Sequence, residues 1–214
     1  MGKESDYDRN VFINCAFDST FIHHFRAIVF TVHSCGFIAR CAMETGNAEG
    51  VRIDKIVKII KDCRYGVHDL SCIEITEQSP LPRFNMPYEL GIFMGCKSFG
   101  GAIHKKKDFI VIDSQPHRYK RLVSDLAGYD FPAYDQKDIN SLIKIIRDWL
   151  YHSKPNSVLG SLFHQERYTK FLAVLPLLCD SIGTTSGEIE FSEFYALVSV
   201  WIQQENFFLL EKNI

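Results

Sequence analysis

Between residues 11 and about 150, short apolar runs alternate with stretches of helical period, and no other feature of the chain restricts its fold as strongly. The runs "VFINC" (11–15), "FIARC" (37–41), "YGVHDL" (65–70), "FIVID" (109–113) and "FPAY" (131–134) all have strand length. Between the first two, Phe21, Phe25, Ile28, Val29 and Val32 recur at three- and four-residue spacing before Gly36 ends the helix. In "RIDKIVKIIKDC", Ile53, Ile56, Val57 and Ile60 line one face, with Lys and Asp on the other. Pro87 opens a third helix, a mostly helical stretch runs to about 127, and "QKDINSLIKIIRDWL" supplies another. Parallel strands need crossover connections, and these are right-handed, so the pattern predicts an α/β domain over residues 1–151 with a five-stranded, mainly parallel sheet.

After Trp149 the alternation stops. "HSKPNSVLG" reads as a linker into two apolar helical segments, "HQERYTKFLAVLPLLC" and "EIEFSEFYALVSVWIQQENFFLL", so residues 152–214 are expected to form a helical appendage. Phe194, Leu197, Val198, Trp201 and Ile202 make a stripe too apolar to stay wet. Either the tail packs on the α/β core or the stripe is a dimer interface, and the second reading predicts a homo-oligomer through the tail.

The balance of charge narrows the partners. A formal charge of −2, with both signs interspersed, leaves no basic stripe for a phosphate backbone, so nucleic acid is not an expected partner and "HKKK" (104–107) reads as a solvated loop. No apolar run approaches the roughly 18 to 20 residues that span a bilayer, and the N-terminal "MGKESDYDRN" is polar. No membrane association is expected, and the expected location is cytosolic. Seven cysteines without a CxxC pair, and without His at zinc-finger spacing, argue against a disulfide framework or a metal site. The absence of GxGxxG, GxxxxGK[ST] and GxSxG removes the usual phosphate-binding glycine loops and the usual serine nucleophile.

In open parallel sheets, ligands lie outside the carboxyl ends of the strands. That rule selects Asn14, Phe17 and Asp18 after the first strand, Met43 and Glu44 after the second, and Asp69 and Ser71 after the third. Around the start of the third helix it selects Arg83, Asn85, Tyr88 and Glu89. Glu89, in "PRFNMPYELGIFMG", is either a solvated helix residue or a carboxylate facing the crevice, kept ionised by the amides and dipole of its helix. An ionised carboxylate there suits reactions through an oxocarbenium-like centre, such as cleavage of an N-glycosidic bond. Asp69 and Asn85 also have plain readings as loop partners, and Tyr88 as a packing residue. Arg40, Arg83, His117 and Arg118 stand between meeting a phosphate and pairing with nearby acids.

"CRYGVHDLS" followed by "FNMPYELGIFMG" and "KKDFIVID" resembles the core of the nucleoside deoxyribosyltransferase and nucleotide N-glycosidase group. "RNVFINCAFD" and "RIDKIVKIIKDCRYGVHDLS" resemble the first strand of TIR domains and the segment leading to their third. Together the matches cover about residues 10 to 135. The resemblance implies a flavodoxin-like or TIR-like layout and a C–N glycosidic enzyme using Glu89, with a nucleoside, nucleotide or NAD as substrate and no separate cofactor. By carry-over, Asp69 and Asn85 would fix the sugar, and Phe17 and Asp18 would close the pocket. The chain departs from the pattern in its first loop and at Asn85, where TIR domains carry an aromatic residue. Two classes of function follow: an enzyme that hydrolyses or transfers at that bond, or a nucleotide-sensing or assembly module without turnover.

Overall fold

A computed structural model describes residues 6–44, 51–73, 83–153 and 158–211. Four strands, β1 (Asn10–Asn14), β2 (Ile38–Cys41), β3 (Tyr65–Asp69) and β4 (Asp108–Ile112), form a parallel sheet in the order β2-β1-β3-β4. Helix α1 (Ile22–Ser34) carries the chain from β1 to β2, after Gly36 closes it at φ 82, a left-handed conformation that favours glycine. Helix α2 (Arg52–Asp62) carries it back past β1 to β3, and α3 (Asn85–Phe99) onward to β4. The chain therefore moves one way from β1 to β2 and the other way thereafter, which places the reversal of strand order between β1 and β3.

Side-chain alternation along each strand divides the core into two layers. Val11, Ile13, Tyr65, Val67, Ile110 and Ile112 point to one layer with α1 and α5 (Ile139–Ser153). Phe12 points to the other, against Ile56, Ile59 and Ile60 of α2 and Phe93 of α3. Every residue of β1 and β3 is buried, as expected for strands covered on both sides.

The sequence predicts a fifth strand at 131–134, but among the described residues only a single parallel bridge, Asp113 to Ala133, forms there. Pro132 has no N–H to give to a ladder, and Tyr134 turns its hydroxyl inward to Asp69. The expected helical stretch before it is equally reduced, to α4 (Tyr119–Leu122) and a short 3-10 turn at Ser124–Leu126.

Helices α6 (Ser161–Ser181) and α7 (Phe191–Glu211) form the tail, and α5 runs to Ser153, slightly past the expected boundary. The tail shares one apolar cluster with α1 and the sheet. Phe30 of α1 meets Tyr168, Phe171 and Trp201, with ring centroids 5.1, 5.3 and 5.9 Å away. Phe194, Val198, Trp201 and Ile202 are buried in this cluster and Leu197 is partly buried, so the apolar stripe is covered by the chain itself. Among the described residues, no helix is long and apolar enough to cross a membrane.

Candidate functional site

A cavity of about 370 Å³ opens at the carboxyl end of β1, beside the reversal point. Asn14 to Phe17 form one side, Arg83 to Met86 with Glu89 another, and Arg52, the first residue of α2, a third. Its construction starts in β3. An added Cβ at Gly66 would meet His68 Nε2 at 2.7 Å and the Phe93 ring at 3.0 Å, so only glycine lets both pack there. His68 lies edge-on to the rings of Phe12, Phe93 and Phe109. Burial drives its pKa down to about 3, helped by the Lys107 charge, so the ring is neutral.

The Asn14 Nδ2 group donates to His68 Nδ1 at 3.0 Å and to the Met86 carbonyl at 2.8 Å. With Nδ1 accepting, the ring proton belongs on Nε2. Asn14 thereby fastens the first turn of α3 to the end of β1, which fixes the direction of the residues that follow. Asn85 and Glu89, one helical turn apart, both reach the cavity wall. Tyr88 turns away and is 60% exposed.

Glu89 is the fifth residue of α3, one position beyond the first turn, so the unpaired amides at the helix start do not hold its charge as the sequence suggests. Burial instead pushes its pKa from 4.5 up to about 7, against the pull of Arg52. The side chain is 6% exposed and makes no hydrogen bond among the described residues. A carboxyl group held near neutrality on a cavity wall, with no hydrogen bond among the described residues, can take or release a proton or face a positive centre.

The other predicted residues fall into two sets. Asn14, Phe17, Asn85 and Glu89 share the cavity. Asp18 stands beside it, paired with Arg83 and also accepting from the Thr20 amide at 3.0 Å and from its hydroxyl. Burial works to raise its pKa, but the hydrogen bonds from Thr20 and Arg83 prevail and hold it at about 2. Asp69 and Ser71 are not on the wall. Asp69 Oδ1 accepts from the Ser71 amide at 2.8 Å, and Oδ2 accepts from the Tyr134 hydroxyl at 2.9 Å. Burial raises its pKa to about 6, with those hydrogen bonds opposing.

Arg118 is likewise committed. It is buried, paired with Asp113, and donates through Nη2 to the carbonyls of Leu70 and Ser71 at 3.0 and 3.1 Å. Arg40 pairs with Glu44 at 2.8 Å beside a second hollow of about 390 Å³ along β2, away from the reversal point. Cys15 is on the cavity wall, but burial, then Asp69 and neighbouring thiols, raise its pKa well above the ordinary range, so it is a poor nucleophile.

Sequence reading missed Arg52. Its one local signal is an oddity: a cation at the first position of a helix opposes the macrodipole. Among the described residues, no group of three or more His, Cys, Asp or Glu is placed to hold a metal ion. Comparison with family models, with curated proteins and with solved structures gave no match.

Proposed function

We propose that the protein cleaves or transfers at an N-glycosidic bond of NAD or another nucleotide, with Glu89 as nucleophile or oxocarbenium stabiliser. The observation that carries this reading is the Glu89 carboxyl group, buried on a cavity wall with no hydrogen bond among the described residues and a pKa of about 7. Glu89 is the only carboxylate among the described residues of that wall. Hydrolysis of O-glycosides ordinarily takes two, one of them to protonate the leaving oxygen. A single carboxylate suits a leaving group that departs without a proton, as a pyridinium base does. Phe17 and Phe84 add flat apolar surface to the wall, chemistry suited to a base.

The test is incubation with NAD and a panel of nucleotides while released base is followed by chromatography. Glu89→Gln is expected to lower turnover by about 10²–10⁴-fold, the range for a positioned carboxyl group. Wild-type turnover is expected to rise as pH passes about 7, where Glu89 ionises. Full activity in Glu89→Gln removes the residue from the mechanism. The lone carboxylate also favours a second reading, a sensor that binds the nucleotide without turnover. Calorimetry showing binding with no released base would select it.

A further inference from the structure

We infer that Arg52 is a phosphate contact of this cavity, so that the ligand seated against Glu89 is a sugar phosphate and not a neutral sugar or nucleoside. The inference rests on reading the cavity as the substrate site. Its first support is the state of the arginines. Arg40 is held by Glu44, Arg83 by Asp18 and Arg118 by Asp113. Arg52 is on the cavity wall, yet it makes no ion pair or hydrogen bond among the described residues. An arginine fork offers five donors matched to phosphate oxygens, and none of them is used by the described residues.

Position adds a second support. Arg52 opens α2, where a cation opposes the macrodipole, and the acid of that first turn, Asp54, makes no ion pair with it. Neither α2 nor α3 receives a side-chain cap at its start, at Val51 and Phe84 respectively, and both starts border the cavity. Two helix N-termini and Arg52 thus face a wall whose single acid is pushed toward neutrality by burial, while the wall's other arginine, Arg83, is already paired with Asp18. A bound anion would add the countercharge that Glu89 supplies only when it ionises. Arg52 is close enough for its charge to act on Glu89, so a phosphate held by Arg52 leaves the attached sugar beside that carboxyl group.

Calorimetry on the full chain with ribose 5-phosphate, ribose and inorganic phosphate tests this directly, because none of the three carries a glycosidic base to be released. Ribose 5-phosphate is expected to bind about tenfold or more tightly than either of the others. That advantage should vanish in Arg52→Gln, return at least partly in Arg52→Lys, and persist in Glu89→Gln. Melting temperatures and circular dichroism of the variants establish that each is folded, as expected for an exposed first residue of a helix. Equal binding of ribose and ribose 5-phosphate, no binding of ribose 5-phosphate, or an undiminished phosphate preference in Arg52→Gln overturns the proposal. Inorganic phosphate binding as tightly as ribose 5-phosphate reduces the site to an anion hole and overturns the sugar-phosphate assignment. Base release from nucleosides and nucleotides at equal rates would sink this inference and leave the role of Glu89 standing. Sugar-phosphate binding without base release would do the reverse.

Discussion

Glu89 and Asp69 are both buried carboxyl groups near the carboxyl ends of β1 and β3, and burial raises the pKa of each, yet their surroundings differ. Asp69 accepts from Ser71 and Tyr134 and sits beside the Arg118–Asp113 pair, so the chain satisfies it internally. Glu89 faces a cavity with no hydrogen bond among the described residues. The first arrangement joins the end of β3 to the segment after β4. The second has no evident benefit to the fold. Burying an unpartnered carboxyl group destabilises a protein, and such strain concentrates where a ligand is handled.

Exchanging the two groups' fates is the sharpest way to break this comparison. Glu89→Gln should abolish most turnover and leave the fold intact, whereas Arg118→Ala should lower stability by about 3–5 kcal/mol by stranding the buried Asp113 charge. Urea unfolding of the two variants, read beside base release, measures both effects. Asp69→Ala follows, at about 2–4 kcal/mol, because it leaves the Ser71 amide and the Tyr134 hydroxyl without their acceptor. A fully stable Asp69→Ala that loses turnover would put Asp69 with Glu89 and erase the distinction.

The next effect is one of pH. Folding favours the protonated form of a carboxyl group whose pKa is raised, so the contribution of Glu89 is fully present below pH 4.5 and is lost as pH rises through about 7. Glu89→Gln should therefore match the wild type near pH 5 and exceed it by about 2 kcal/mol at pH 8, measured by urea midpoints. The difference between the two proteins isolates Glu89 from the buried histidines, whose lowered pKa values act at the acid end. Smallest is Tyr134→Phe, which removes one hydrogen bond to Asp69 and should cost about 1 kcal/mol in the same assay, with turnover unchanged.

Much of this contrast is visible in the linear chain, but not its sense. Switch-point reasoning selects Asn14, Asp69 and Glu89 alike, because it follows strand ends and says nothing about which polar groups the fold will consume. Tyr134 lies 65 residues from Asp69, and no local pattern announces that its hydroxyl will meet that carboxylate. Arg52 escapes the same rule because it lies several residues beyond the end of β2, and only the path of α2 brings it to the cavity.

The sequence by itself determined the order of strands and helices, the parallel character of the sheet and the helical nature of the tail, because periodicity and turn residues act within a few positions of chain. It also singled out Glu89 as a candidate. Tertiary structure alone decided that 131–134 contributes one bridge instead of a strand, that the apolar stripe of α7 is covered from within, and that Glu89 lacks the partners Asp69 has. Those outcomes depend on contacts between distant segments, where packing and hydrogen bonding choose among options that local propensity leaves equal.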